Sequence, residues 1–254
     1  MANGYSHIRA YVEPLILLVV LLFVWQFGLE LLQVPHFILP TPVQIAQAFF
    51  TPSIDWLRNT WVTFSEALAG FATGTIVGVG LAVVIVESKL LRRLLTPYIV
   101  TAQVLPKVAV APIIYIILGF NDVSRIFLVF LLVFFPILIN MATGLTDVDT
   151  NLIHLLKSLG AGELTVFLKV RLPNSLPYLF DGLKISATGA MVGAIVAEFV
   201  SSSAGLGFII LNSQYTFNTS LAFASFIILI VVGLFLYEVV ELSGRLAMPW
   251  FQRR

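Results

Sequence analysis

Side chains that commonly carry out covalent chemistry are few and scattered in this chain of 254 residues. No GxxxxGK(S/T) stretch is present to hold nucleotide phosphates, and no HExxH pair is present to hold zinc. The histidines His7, His36 and His154 lie far apart, in a terminal tail, a proline-rich turn and a polar loop. We therefore expect no enzyme active site in this chain, and no cofactor or metal bound by it.

Two charged side chains, Lys107 and Glu198, fall inside long apolar stretches. A charge at membrane depth is costly unless it has a partner or faces a water-filled cavity. Lys107 follows Pro106, which interrupts helical hydrogen bonding. Two hypotheses follow from this pattern. The two residues form a structural ion pair, because their depths are within reach of a long side chain, or they line a path that attracts a small anion.

A polar, charge-bearing loop at 149–173 interrupts the apolar sequence. Asp149 is a good helix N-cap, and leucine and isoleucine recur behind it at helical spacing. Gly160 should end this short helix, because glycine readily adopts the left-handed cap conformation. A second short helix, 163–171, should end before Pro173. Two such short helices cannot form a core of their own, so their apolar stripe must dock on another surface.

The composition of the chain indicates that apolar helices must position Lys107, Glu198 and the polar loop. The chain is 59% hydrophobic and 11% charged, with a mean hydropathy of +1.01, whereas soluble proteins carry about 25% charged residues. A net charge of +1 argues against a nucleic-acid partner, and the absence of cysteine excludes a disulfide framework. Apolar stretches long enough to cross a membrane predict six spans, at 14–32, 64–86, 97–118, 126–145, 183–200 and 221–242.

Other segments complete this single all-α transmembrane domain over 1–254. Thr41 and Pro42 predict the start of a short interfacial helix at 42–50, and 201–220 reads as an uncharged Ser/Gly/Asn-rich connection. The second span carries glycines at small-xxx-small spacing, which allows close helix approach. Either packing within one subunit or a contact between subunits would explain them. These glycines are Gly70, Gly74, Gly78 and Gly80.

The distribution of cations predicts the orientation, because cytoplasmic loops carry an excess of lysine and arginine. With the amino terminus in the cytoplasm, only Arg58 and Arg125 fall outside, and Lys107 lies within a span. Both termini and the 149–173 loop are then cytoplasmic. The inner cations are Arg9, Lys89, Arg92, Arg93, Lys157, Lys169, Arg171, Lys184, Arg245, Arg253 and Arg254.

The spacing in the 149–173 loop resembles the cytoplasmic coupling motif of ABC importer permeases, in which a glycine precedes Ile-x-Leu-Pro by nine residues. Here Gly160 precedes Val-Arg-Leu-Pro at 170–173. The chain is also similar to the nitrate/sulfonate/taurine group in Leu-Pro-Thr-Pro at 39–42, Leu-Pro-Lys-Val-Ala-Val-Ala-Pro at 105–112 and Gly-Leu-Gly at 205–207. It departs from the family where Glu-Ala-Ala is usual, because His-Leu-Leu occupies 154–156.

The resemblance implies a type I ABC importer permease fold of about six helices in the bacterial inner membrane. The implied partners are membrane lipid, a second copy of the chain or a related permease, two cytoplasmic ATP-binding cassette subunits and an extracytoplasmic substrate-binding protein. ATP and Mg²⁺ would be used by the partner ATPase. The residues implied to couple to it are Leu152, His154, Leu155, Lys157, Ser158, Leu159, Gly160, Ala161, Gly162, Leu172 and Pro173.

The resemblance leaves the substrate open. Lys107 favours a small anion of the nitrate, sulfonate, taurine or bicarbonate type, whereas the same group of permeases also includes importers of thiamine-precursor pyrimidines and riboflavin. A secondary transporter or channel that works without ATP is the alternative from another class. Against that alternative, the spans show no inverted repeat with matched broken helices, and membrane-embedded acids for a proton relay are few.

Overall fold

The computed structural model describes the backbone of residues 2–249 and the side chains of residues 12–249. Arg253 and Arg254, and the side chains of His7 and Arg9, lie outside these residues. The described chain is helical and contains no strand, which confirms the all-α prediction. Its α-helices are α1 (Ala2–Leu31), α2 (Pro42–Ala48), α3 (Trp56–Glu87), α4 (Lys89–Val104), α5 (Ala111–Leu118), α6 (Asp122–Thr146), α7 (Thr150–Ser158), α8 (Glu163–Val166), α9 (Leu172–Ser201), α10 (Leu206–Tyr215) and α11 (Thr219–Ala247).

The chain forms two compact units, one of Met1–Leu57 with Ile209–Ile228 and the other of Arg58–Phe208 with Leu229–Arg254. Across the described residues, five helices are long and apolar enough to cross a membrane. The number is six if the bent pair α4 and α5 counts as one span.

In the first unit, α2 begins as the sequence predicts. The Gln44 backbone N–H donates to Thr41 Oγ1, and Gln44 Oε1 accepts from the Thr41 N–H at 3.0 Å, so the pair forms a capping box. Ile45 and Ala48 on α2 are buried together with Ala224 of α11. Burial of these apolar side chains holds the short helix in place, because seven residues are too few for a helix to be stable alone.

The second unit is built around the pair α6 and α9, with α3 packed on α6. Glycines of α3 at four-residue spacing each face a β-branched residue of α6, in the pairs Gly70–Val129, Gly74–Val133 and Gly78–Ile137. A Cβ on Gly74 would lie 2.7 Å from Val133 Cγ1, so only glycine permits this approach. These three glycines therefore serve packing within the subunit, whereas Gly80 faces open space.

The predicted third span, 97–118, differs from the structure. The helix α4 begins eight residues earlier, at Lys89, and is separated from α5 by Leu105, Pro106 and a 3₁₀ turn at Lys107–Val110. The two helices meet at an angle of 89°. The backbone of Leu105 is extended (φ −63°, ψ 128°), because a following proline disfavours the helical conformation. The break places Lys107 at a sharp corner of the chain.

The prediction that a helix ends before Pro173 is wrong. The chain continues from α8 through a π-helical turn at Phe167–Arg171 directly into α9. The Leu172 N–H donates to the Phe167 carbonyl, five residues back. This wider turn carries the chain past Pro173, which has no N–H to donate, and proline is tolerated in the first turn of a helix. The helix that contains the predicted fifth span therefore begins well before residue 183.

The 201–220 segment is also not the irregular connection that its composition predicted. It contains α10, whose first residues are buried against the end of α9. Gly205 has φ +111° and leads into α10, so this turn needs glycine. The apolar Leu206, Ile209 and Ile210 of α10 are each less than 5% exposed. Serine and glycine are frequent just before α10, and this composition favoured the prediction of an irregular connection.

Candidate coupling and translocation sites

The helix α7 has the caps that the sequence predicted. Asp149 accepts a hydrogen bond from the Asn151 N–H at 2.8 Å. At the other end, the Gly160 N–H donates to the Lys157 carbonyl and the Ala161 N–H to the Leu156 carbonyl, each at 3.0 Å. With φ +81° at Gly160, this is a Schellman motif. Gly160 therefore forms a sharp elbow after α7.

Most of the residues predicted to couple lie on the surface of this elbow. The side chains of Leu152, Leu155 and Leu159 are 50%, 56% and 76% exposed. His154, Lys157, Ser158, Gly160 and Gly162 are exposed as well, and Ala161 is half-buried. A leucine row with this exposure is unfavourable in water unless another surface covers it. The exposed row is the feature expected of a docking helix.

Leu172 and Pro173 lie apart from that row. Both are half-buried in the first turn of α9, and Leu172 packs against the core cluster that contains Leu138, Met141 and Leu145. The position of Leu172 makes it part of the support for the elbow. A cavity of about 900 Å³ separates α7 from the start of α9, with Leu155, Leu156 and Pro173 in its lining.

Polar contacts that the sequence did not suggest hold the two ends of the 149–173 loop to the neighbouring helices. Asn174 Nδ2 donates to the carbonyls of Gly144 and Asp147, at 2.9 and 2.7 Å. Tyr178 Oη donates to Asp147 Oδ2 at 2.5 Å. An ion pair between Arg171 and Glu87, at 3.2 Å, joins the π-helical turn to the end of α3. These contacts join the start of α9 to the end of α6, and the π-helical turn to α3.

Glu198 is buried, and Lys107 does not pair with it. Its side chain is 1% exposed, and its two oxygens have separate donors. Thr63 Oγ1 donates to Oε1 at 2.6 Å, and the Gly207 N–H donates to Oε2 at 2.5 Å. Lys107 is not among its partners, so the proposed ion pair is not formed. The carboxylate instead fastens the 205–207 turn to α3.

Neighbouring contacts extend this fastening. The Leu206 N–H donates to Thr63 Oγ1 at 2.9 Å, and the Gly205 N–H donates to Asn59 Oδ1 at 2.7 Å. No side chain fits at Gly205, because a Cβ there would collide with the Glu198 carboxyl group. Glu198 and the Gly-Leu-Gly sequence at 205–207 therefore contact each other. No pattern in the sequence indicates that Thr63 and Asn59 contact this turn.

A second buried acid, Glu66, lies on α3 one turn after Thr63, and it was not singled out from the sequence. It is 5% exposed, and its Oε1 accepts from Arg125 Nε at 2.6 Å. Arg125 also donates to the Ser201 carbonyl at 3.0 Å and pairs with Asp122. One arginine thus joins α3, α6 and the end of α9. An acid so near the start of an apolar span could have indicated that a partner was required.

Lys107 stands apart from both buried acids. Its Nζ lies 3.5 Å from the Gln103 carbonyl and 5.1 Å from the centre of the Phe135 ring. Its side chain is half-buried. No carboxylate pairs with it among the residues that the structure describes. A cation at a helix break, held by one carbonyl and one ring face, keeps free donors for an anion.

Comparison with known proteins identifies the architecture. Residues 74–252 match the model of the family described as the binding-protein-dependent transport system inner membrane component. The chain belongs to this family. It is a multi-pass membrane protein and the permease subunit of an ABC importer. This finding excludes the ATP-independent transporter or channel.

Three relatives show the range of the permeases that resemble it. A probable ABC transporter permease of Haemophilus influenzae is 33% identical over 90% of this chain and 94% of its own length. The riboflavin transport system permease RibX of Chloroflexus aurantiacus is 33% identical over 93% and 89%. The putative aliphatic sulfonates transport permease SsuC of Bacillus subtilis is 31% identical over 94% and 88%.

The fold is also that of a solved importer. An inward-facing structure of the MetNI methionine ABC transporter matches with a TM-score of 0.66 over 77% of this chain and 98% of the matched chain. The two sequences are 18% identical, so this likeness shows the type I importer permease fold alone.

Proposed function

We propose that the 149–173 loop receives a cytoplasmic ATPase and passes its movement to the membrane helices. The observation that carries this proposal is the exposed row of Leu152, Leu155 and Leu159 on a helix ended by the Gly160 elbow. Three residues join the end of α6 to the start of α7, and Asn174 of α9 bonds to that end of α6, which gives a route for force from this row. Force applied to α7 would then tilt α6 and α9 together.

The complete importer that we infer contains two copies of this chain, two ATPase subunits and one extracytoplasmic substrate-binding protein, surrounded by lipid. ATP and Mg²⁺ act in the ATPase subunits, and this permease performs no covalent chemistry and binds no cofactor. The elbow and both termini face the cytoplasm, because the sequence places its excess of lysine and arginine on that side. The membrane is the bacterial inner membrane.

For the substrate, we propose a small anion that passes Lys107. Its half-buried ammonium group has no carboxylate partner among the described residues and lies at the break between α4 and α5. The name of the sulfonate permease relative supports an anion, whereas that of the riboflavin permease supports a larger solute as the alternative. Glu198 would shape the wall of the path by fastening the 205–207 turn, rather than by touching the solute.

Retention of the ATPase tests the coupling role. The permease is co-expressed with the ATPase encoded beside it and purified through a tag on the permease. We expect Leu155→Asp and Gly160→Pro to lose the ATPase, the first by placing a charge in the docked face and the second because proline cannot adopt φ +81°. Leu90→Asp is the matched control, because Leu90 is 66% exposed but lies outside the loop. Full retention by both loop variants would refute the proposal.

Uptake into proteoliposomes tests the role of Lys107. Assembled importer with Lys107→Gln should retain its ATPase but lose most uptake of a small anion, because the neutral amide side chain lacks the charge. Arg93→Gln is the control, because Arg93 is an exposed cation outside the coupling loop. If Lys107→Gln transports an anionic solute at the rate of the unchanged importer, the anion proposal fails. The coupling proposal is unaffected by that result.

A further inference from the structure

Two cavities at one end of the second unit adjoin each other. The first, of about 370 Å³, lies among the ends of α3 and α6, the start of α4 and the coupling loop. The second, of about 330 Å³, is a groove between α4 and α6. Val86, Arg92 and Thr146 line both, so the two form one continuous site. No role in coupling or translocation described above uses the groove.

The first cavity carries excess positive charge. Its lining contains four cations and two carboxylates, namely Lys89, Arg92, Lys157, Arg171, Glu87 and Glu163. Arg171 pairs with Glu87, and Lys157 pairs with Glu163 at 2.6 Å. Lys89 and Arg92 form none of the ion pairs of the described residues, and both are exposed. Two positive charges therefore remain uncompensated at this position.

The start of α4 increases this imbalance. Lys89, Arg92 and Arg93 all fall in the first five residues of α4, where the helix dipole is already positive, and its first turn contains no acid. Cations at this end of a helix repel the dipole, so the arrangement is unfavourable for the chain alone. A bound anion would be attracted both by the positive end of the dipole and by the cations, which offsets the repulsion.

The second cavity is apolar and elongated. Ile99 and Val100 of α4 face Leu138, Ile139 and Ala142 of α6 across it. Two of its three threonine hydroxyls are occupied within their own helices, because Thr96 donates to the Arg92 carbonyl at 2.6 Å and Thr146 to the Ala142 carbonyl at 2.9 Å. The groove therefore has few free polar groups to offer a ligand along its length.

The length of the groove matches one leaflet of a bilayer. On α4 its lining extends from Arg92 to Gln103, which at the rise of an α-helix is about 16 Å. Half of a hydrocarbon core of about 30 Å is about 15 Å. The cationic cavity lies at one end of this groove, as a headgroup lies at one end of an acyl chain.

We propose that this site binds one anionic phospholipid of the inner leaflet. Its phosphate lies among Lys89, Arg92 and Arg171, and one acyl chain lies in the groove between α4 and α6. The proposal rests on the cytoplasmic placement of the coupling loop proposed above. Lys157 and Arg171 belong to the 149–173 loop, whereas Lys89 and Arg92 belong to α4. A bound headgroup would therefore connect the loop to α4.

Lipid binding to the full-length permease tests this proposal. Protein purified in detergent is titrated with phosphatidylglycerol or phosphatidylcholine, and bound lipid is measured by native mass spectrometry. We expect preferential binding of phosphatidylglycerol. Arg92→Gln should weaken it about fivefold, the effect of one cation near a lipid headgroup. Arg93→Gln is the matched control, because Arg93 is an exposed cation that lines neither cavity and should change little.

Separate experiments test whether an acyl chain occupies the groove and whether the bound phosphate belongs to a lipid. Val100→Gln places a polar group in the groove at a position that is 55% exposed, and Ala142→Phe fills it, so both should weaken phosphatidylglycerol binding with all cations present. Inorganic phosphate at millimolar concentration should not displace the lipid. Equal losses in Arg92→Gln and Arg93→Gln, displacement by phosphate, unchanged binding in both groove variants or equal binding of phosphatidylcholine would each overturn the proposal.

Discussion

Replacing Gly205 with alanine should destabilise the permease for two reasons, strain in the backbone and a collision of the new side chain with Glu198. Gly205 has φ +111°, a conformation that side chains other than glycine rarely adopt. A Cβ at this position would also collide with the carboxyl group of Glu198. That carboxyl group cannot move away freely, because Thr63 and the Gly207 N–H hold its two oxygens.

The magnitude follows from adding the two effects. Backbone strain at a residue of positive φ costs about 1–3 kcal/mol. Forcing an extra methyl group into a filled site costs about 1–3 kcal/mol more. Gly205→Ala should therefore lower the free energy of unfolding by about 2–6 kcal/mol.

The matched control is Gly160→Ala. Gly160 also has a positive φ, +81°, but a Cβ there meets nothing within 4 Å. This variant should show backbone strain alone, about 1–2 kcal/mol. Alanine restricts the unfolded chain equally in both variants, so that contribution cancels in the comparison. The measurement is reversible unfolding in mixed micelles of increasing SDS content, followed by tryptophan fluorescence.

A double variant tests the collision directly. Glu198→Ala removes the carboxyl group that Gly205→Ala would meet, so the two changes together should cost less than the sum of their separate effects, by about 1–3 kcal/mol. Additive effects, or a loss in Gly205→Ala no greater than in Gly160→Ala, would show that the Glu198 carboxyl group does not occupy the space beside this turn.

Further substitutions test the packing of the second unit, and each is measured by the same unfolding assay. Gly70→Ala should cost about 1–3 kcal/mol, because its Cβ would collide with α6, whereas Gly80→Ala, which faces open space, should be neutral or stabilising. Arg125→Leu should cost about 3–5 kcal/mol, because it leaves the buried Glu66 carboxylate without its partner. Adding Glu66→Gln should restore part of that stability, and no restoration would refute the pairing of Arg125 with Glu66. Tyr115→Phe should cost about 0.5–1.5 kcal/mol, because the Ala197 carbonyl loses the buried Tyr115 hydroxyl that donates to it, and an unchanged stability would contradict that bond.

Local sequence signals predicted the coupling elbow well. The cap at Asp149 and the left-handed turn at Gly160 depend on contacts within a few residues, so the sequence contains all the information they need. The same logic failed at Pro173, where a local rule predicted the end of a helix. A π-helical turn bypasses the missing N–H there, and such a turn cannot be read from local preferences.

Sequence alone thus determined that the chain is a helical membrane protein, where most of its spans lie and which loop is polar, because hydropathy and capping act along the chain. Only the tertiary structure decided the partners of the charged side chains. Depth in the membrane made Lys107 and Glu198 a reasonable pair, but pairing also requires that two helices turn the right faces toward each other. Packing of α3 on α6 through small residues sets those faces. As a result, Thr63 and the 205–207 turn, and not Lys107, form the hydrogen bonds with Glu198.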